Sequence, residues 1–175
     1  MNEYSYLASL IAAAFAVIFL IFQTYTQKYG APWVPTPYKT IKKMLKLAEV
    51  KPEDMVYDLG SGDGRVIIEA ARSFGAKAVG IEIDPLRFMW TKARIFLLGL
   101  SDKVNVLLGN FFKINIGDAD VVTIYLLQET NVKLIDKFIR ELRPGTRIVS
   151  NTFTLPGLRI INYDEKSKIY VYIIN

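Results

Sequence analysis

The stretch "VYDLGSGDGRVIIEA", Val56–Ala70, constrains this chain more than any other. An apolar run of strand length enters it, three glycines fall within five residues, and an apolar run at helical spacing leaves it. A strand, a glycine turn and a helix in that order form half of a parallel β-α-β unit. Such a unit needs further strands and helices to bury both faces of its sheet. The rest of the chain is therefore expected to alternate.

It does. Met55–Leu59 reads as a buried strand and Arg65–Phe74 as a helix closed by Gly75. Ala78–Glu82 is a second strand, and Asp84-Pro85 opens a helix running to about Leu98, where Gly99 ends it. Val104–Leu108 and Asp120–Leu126 are the third and fourth strands. Val132, Ile135, Phe138, Ile139 and Leu142 mark a helix stopped by Pro144-Gly145, and Thr146–Ser150 is the fifth strand. Leu158–Asn162 and Lys168–Ile174 lie close enough in sequence to pair as an antiparallel hairpin, while the gap after Ser150 is too short for another helix. The expected fold class is α/β: a doubly wound, mainly parallel, Rossmann-like sheet with a C-terminal antiparallel hairpin at its edge. Ligands bind such sheets beyond the carboxyl ends of the strands, where strand order reverses, and the glycine turn is expected there.

Three ligands compete for that turn. A P-loop requires Gly-Lys-Ser/Thr, and here Gly64 is followed by Arg65 and Val66. A dinucleotide fingerprint requires G-x-G-x-x-G, but after Gly60 and Gly62 the third glycine arrives one residue early, at Gly64. The turn also carries Asp58 and Asp63, which would repel a pyrophosphate and favour a cation. S-adenosylmethionine has a sulfonium, an ammonium and no phosphate. Glu82, at the end of the second strand, can accept bonds from both ribose hydroxyls. In "LGNFF", Leu108–Phe112, Asn110 can pair with the adenine edge and Phe111 can pack on its ring. Each feature alone is common. Together and in this order they point to an S-adenosylmethionine site.

The 175 residues suffice for one ordinary domain, and they include no cysteine and no histidine. Disulfides, thiol nucleophiles, Cys/His metal sites and a histidine base are thereby excluded. The net charge of +5 suits anionic lipid, nucleic acid, an acidic protein surface or plain solubility alike.

Ahead of the alternating region, no residue from Tyr4 to Gln27 is charged. As a helix that run would be roughly 36 Å long, enough for a bilayer core of ~30 Å. Tyr4, Tyr6, Tyr25 and Tyr29 flank it as interfacial aromatics do. A signal peptide would begin with basic residues, whereas this start carries Glu3, and a transit peptide would be rich in arginine. A single-pass transmembrane helix is expected over residues 1–28, with a buried core helix as the alternative. Lys28, Lys39, Lys42, Lys43 and Lys46 follow the run, so the positive-inside rule puts the larger part in the cytoplasm. Residues 29–50 form a proline-rich linker and leading helix. Within it Thr36 is expected to cap and Pro37 to open the helix. The ligand-binding domain is 51–175.

The chain resembles the seven-strand class I methyltransferases. More narrowly, it is similar to the small archaeal protein-lysine methyltransferases and to the membrane-anchored mitochondrial enzymes that modify the c-ring protein of ATP synthase and the adenine nucleotide translocase. These in turn resemble the Dot1-type enzymes. "PWVPTP" (Pro32–Pro37), "VYDLGSGDGR" (Val56–Arg65), "VGIEIDP" (Val79–Pro85), "LGNFF" and "VVTIYLL" (Val121–Leu127) carry the likeness. The resemblance implies that Asp58, Gly60, Ser61, Gly62 and Gly64 line the methionine part of the cofactor, with Asp63 a further cofactor-binding candidate in the turn. It also implies that Glu82 holds ribose, that Asn110 and Phe111 hold adenine, and that the proline segment covers the site with Thr36 near the cofactor. Trp33, Tyr38 and Tyr125 are the candidates for an aromatic lysine channel, with Tyr125 orienting the amine; packing or interfacial roles are their ordinary alternative. The implied activity is methylation of accessible lysines on membrane or membrane-proximal proteins. No metal and no nucleic-acid partner is expected. The chain departs from the fold pattern in lacking a helix between the fifth and sixth strands.

Other readings compete. Base-amine methyltransferases often carry Asn/Asp-Pro-Pro-aromatic after the fourth strand, where this chain reads "YLLQ", Tyr125–Gln128. A small-molecule or lipid methyltransferase would usually carry extra substrate-covering elements. A binding protein that has lost catalysis fits poorly with an intact glycine turn.

Overall fold

The computed structural model describes residues 3–29 and 34–175, with side chains over 4–17 and 34–175. The chain divides into two compact units, Met1–Pro32 and Trp33–Asn175. The first contains α1, Glu3–Tyr29. Among the described residues no helix is long and apolar enough to cross a membrane. The expected transmembrane helix over residues 1–28 finds no support among the described residues, and its second half lies outside the described side chains.

The second unit alternates as its apolar pattern requires: α2 (Tyr38–Leu47), β1 (Met55–Leu59), α3 (Arg65–Phe74), β2 (Lys77–Glu82), α4 (Pro85–Leu97), β3 (Val104–Leu108), β4 (Val121–Ile124), α5 (Gln128–Glu141), β5 (Arg147–Asn151), β6 (Arg159–Asp164) and β7 (Ile169–Ile173). The strands form one seven-stranded sheet in the order β3-β2-β1-β4-β5-β7-β6. The first five are parallel, and β7 pairs antiparallel with both β5 and β6. After β3 the chain returns to the other side of β1, so the crevice opens between β1 and β4. The expected edge hairpin is present, and no helix separates β5 from β6. Residues of β6 stay exposed or half-buried as a consequence.

Ile41, Met44 and Leu45 of α2 and Ile67, Ala70 and Ala71 of α3 pack on Val56, Ala78, Val121 and Val149 of the sheet. Leu134 and Phe138 of α5 are fully buried as well. Burial of this set removes several side chains' worth of apolar surface from water, at about 1.5–3 kcal/mol each.

One helix start differs from expectation. Pro37 sits at the cap of α2 with φ −59° and ψ 141°, and no side chain caps that end. Its extended ψ places it before the first turn, where its carbonyl accepts from the Thr40 and Ile41 amides at 2.9 and 3.0 Å. The Thr36 backbone is thereby freed for another partner. The fourth strand also ends early, at Ile124, because neither β1 nor β5 pairs with it beyond that residue.

Candidate functional site

Register explains why the acid of the glycine turn is where it is. Asp58 lies opposite Gly80 on β2 and Thr123 on β4. The Thr123 hydroxyl, fully buried, donates to Asp58 Oδ1 at 2.6 Å. The chain then turns through Gly60, Gly62 and Gly64, all at positive φ. Gly60 and Ser61 amides donate to the Ile81 carbonyl at 2.9 and 3.0 Å, which pins the turn to β2. Gly64 needs glycine twice over. Its φ is +75°, and an added Cβ would lie 2.4 Å from Thr91 Cγ2. That contact exists because the buried Thr91 hydroxyl donates to the Gly62 carbonyl at 2.9 Å, drawing α4 onto the turn.

Glu82 is a second clasp. Its Oε2 accepts from the Gly62 amide at 2.7 Å and its Oε1 from the Asp84 amide at 2.9 Å. Asp84 in turn caps α4, accepting from the Leu86 and Arg87 amides. Burial raises the Glu82 carboxyl above its ordinary range, against the two backbone donors and the Arg87 charge.

The cleft beside the turn has a volume of about 40 Å³ and is lined by Thr36, Asp58, Ser61, Asp63 and Tyr125, with Val34, Met44, Val66 and Ile124 as its apolar wall. Five of the expected residues therefore meet in one place. Glu82, Asn110 and Phe111 stand apart at the ends of β2 and β3. Asn110 Oδ1 accepts from the Phe112 amide at 2.9 Å, and Phe111 is buried with its ring 4.9 Å from that of Phe112. Tyr38 is exposed on the rim. Trp33 lies outside the described residues.

The two carboxylates of the turn are not equivalent. Arg65 Nε and Nη2 donate to Asp63 Oδ1 and Oδ2 at 2.8 and 2.7 Å, and Arg94 Nη1 lies 3.3 Å from Asp63 Oδ2. Arg94 Nη1 also donates to the Asp63 carbonyl. Burial pulls the Asp63 carboxyl upward, but the Arg65 bonds and the two guanidinium charges hold it below the ordinary range. Its charge is balanced by arginines. Among the described residues no ion pair reaches Asp58. Burial pushes its carboxyl up to about 7, against the Thr123 hydrogen bond and with help from the Glu82 and Asp63 charges. A carboxyl so placed is a partly protonated acid near neutral pH until a cation arrives.

The same arginines fasten the proline segment. Arg65 Nη1 donates to the Thr36 carbonyl at 3.0 Å, and its guanidinium stands 5.6 Å from the Tyr38 ring centroid. Arg94 Nη2 donates to the Tyr38 hydroxyl at 3.3 Å. Sequence reading missed both arginines and Thr123. Arg65 adjoins the motif and was visible there, whereas Arg94 and Thr123 come from other elements that only packing brings in.

Comparison with known proteins agrees with this geometry. A family model described as the ANTKMT methyltransferase domain matches residues 58–162. The chain is 41% identical over 150 residues to a protein-lysine N-methyltransferase of Saccharolobus islandicus (strain REY15A), covering 82% of this chain and 93% of that protein. It is 31% identical over 125 residues to the Mus musculus adenine nucleotide translocase lysine N-methyltransferase, covering 71% of this chain and 54% of the mouse protein. The chain thus spans about half the length of that mammalian relative. Among solved structures, an RNA methyltransferase from Salinibacter ruber in complex with S-adenosyl-L-homocysteine superposes with a TM-score of 0.75 and 41% identity. The match covers 81% of this chain and 94% of that one.

Proposed function

The chain belongs to the ANTKMT methyltransferase family, and on that premise we propose that it transfers a methyl group from S-adenosyl-L-methionine to the side-chain amine of protein lysines. The identity with the archaeal protein-lysine N-methyltransferase, extending over 82% of the chain, carries the choice of acceptor.

The residues present fit that cofactor. The Ser61 hydroxyl is buried on the cleft with no partner among the described residues, so it has hydrogen-bonding capacity to give a ligand. Asp58 is a carboxylate without a cation, and an α-ammonium supplies one. Glu82 keeps lone pairs beyond its two backbone bonds, as ribose hydroxyls require. When bound, S-adenosylmethionine supplies an electrophilic methyl group on a sulfonium. The chain's own work is alignment, which is worth several kcal/mol when donor and acceptor are held in line. The acceptor must also be a neutral amine. Val34, Met44 and Ile124 present an apolar wall that disfavours an ammonium there, so the lysine proton is shed to water before transfer. Tyr125, half-buried on the same wall, orients the amine through its hydroxyl.

A second reading rests on the Salinibacter structure, which is described as that of an RNA methyltransferase. The residues after β4, "YLLQ", lack the Asn/Asp-Pro-Pro-aromatic pattern of many base-amine enzymes and weigh against it. The full chain incubated with methyl-labelled S-adenosylmethionine and separate protein, RNA and lipid fractions decides. We expect label in methyl-lysine after acid hydrolysis; label confined to RNA or lipid overturns the proposal.

Membrane attachment through α1 belongs to the same proposal. The uncharged run from Tyr4 to Gln27 and the exposed Leu7, Leu10 and Phe15 support it. It would place the substrate lysines on membrane or membrane-proximal proteins and the catalytic unit at the cytoplasmic face. Retention in the membrane pellet after alkaline carbonate is expected; complete release refutes attachment.

A further inference from the structure

The outer face of α4 inverts the usual order of a surface helix. Thr91 and Ile95 point inward and are buried. At about 100° per residue, Leu86, Met89, Trp90, Phe96 and Leu97 share one outward arc of roughly 120°. They are 68, 65, 61, 74 and 80% exposed. Polar residues normally occupy those positions. Within Trp33–Asn175 the helix contacts β2 and β3, and its Arg94 reaches Tyr38 of α2. A contiguous exposed patch of this kind marks a contact surface.

Charge identifies its partner. The sequence of α4 contains Arg87, Lys92 and Arg94 and no acid. Lys92 borders one side of the arc and Arg87 and Arg94 the other. The acids nearest them, Asp84 and Asp63, are turned inward, with side chains only 4 and 17% exposed. The arc itself is thus apolar and carries no carboxylate, with Lys92 as the exposed cation at its edge, while Arg87 and Arg94 on the other side are paired with Asp84 and Asp63. A lipid surface takes such an arc without a complementary groove. An apolar face bearing Trp, Phe and Leu beside an exposed lysine is the composition of a helix lying in a membrane interface.

We propose that the outward face of α4 seats the catalytic unit on an anionic lipid surface, with Trp90 and Phe96 entering the headgroup–acyl boundary and Lys92 facing the phosphates. This contact is separate from α1 and does not depend on the identity of the methyl acceptor. It would hold the cleft in a set orientation to the bilayer.

Trp90 reports on this directly, because the chain has two tryptophans and Trp33→Phe leaves Trp90 as the sole emitter. The full-length Trp33→Phe chain is incorporated into vesicles of phosphatidylcholine with and without one-third phosphatidylglycerol. Emission is expected to shift to shorter wavelength and to be quenched by shallow-brominated lipid in the anionic vesicles. Lys92→Gln is expected to weaken the anionic-lipid dependence about fivefold, the equivalent of one surface cation. Met89→Glu with Leu97→Glu is expected to abolish quenching while the far-ultraviolet circular dichroism stays native. Emission unchanged by anionic lipid overturns the proposal. So does a shift that follows protein concentration without lipid, which marks a second copy, or one that needs an added protein substrate. The reading uses no methyl transfer, so its failure and the failure of the lysine assignment are distinguishable.

Discussion

Replacing Asp58 by Asn tests the site at its most unusual charge. The carboxyl stands at about 7 in the folded chain, raised first by burial and opposed by the Thr123 hydroxyl. In the unfolded chain it is about 3.9. Between these values the folded state holds the proton and the unfolded state does not, so stability falls as pH rises through the window. From pH 5 to pH 8 this one group costs roughly 2–3 kcal/mol of stability without cofactor. Asn keeps an acceptor for Thr123 and carries no charge. Asp58→Asn is therefore expected to flatten that part of the pH profile in thermal denaturation. Cofactor binding has the opposite sign. A bound ammonium stabilises the ionised carboxylate, so affinity follows the ionised fraction and rises about tenfold from pH 6 to pH 8. Titration calorimetry across that range measures it, with Asp58→Asn binding weakly and showing little dependence on pH. Parallel profiles for the two proteins, in either stability or affinity, would refute the assignment of Asp58 as the cation's partner.

Three further outcomes are expected. Gly64→Ala forces a side chain into a left-handed residue and against Thr91, costing about 2–4 kcal/mol in denaturant melts; a loss below about 1 kcal/mol contradicts the close approach of α4 to the turn. Arg65→Ala frees the Thr36 carbonyl, the Tyr38 ring and one side of Asp63. It is expected to speed cofactor dissociation several-fold in stopped-flow measurements, and an unchanged off-rate would mean that the proline segment is held by other contacts. Tyr125→Phe should lower kcat on a lysine substrate by about tenfold or more while cofactor affinity by calorimetry stays within about twofold; equal losses in both would move Tyr125 from the acceptor to the cofactor.

Much of the architecture was legible in the chain alone. Strand and helix alternation is written in apolar periodicity, and the early third glycine with its neighbouring acid selects against a phosphate ligand. Five of the expected residues do meet in the cleft. Boundaries were less legible: Thr36 does not cap α2, because the extended Pro37 intervenes, and β4 stops at Ile124, where its neighbours stop pairing.

What the linear chain determined by itself is whatever depends on local order: the strand–turn–helix units, the positive-φ glycines, the acid at the end of β2 and the family they mark. Charge state was decided only by tertiary structure, since Coulomb interactions act through space without regard to sequence distance. Asp58 and Asp63 look alike five residues apart in the sequence. Folding brings Arg94 from α4 and, with Arg65, balances the charge of Asp63. It brings Thr123 from β4 beside Asp58 and leaves that carboxyl buried with no cation. One acid of the turn is thus tied to the arginine that holds the proline segment, and the other is the counter-charge proposed for the cofactor's ammonium.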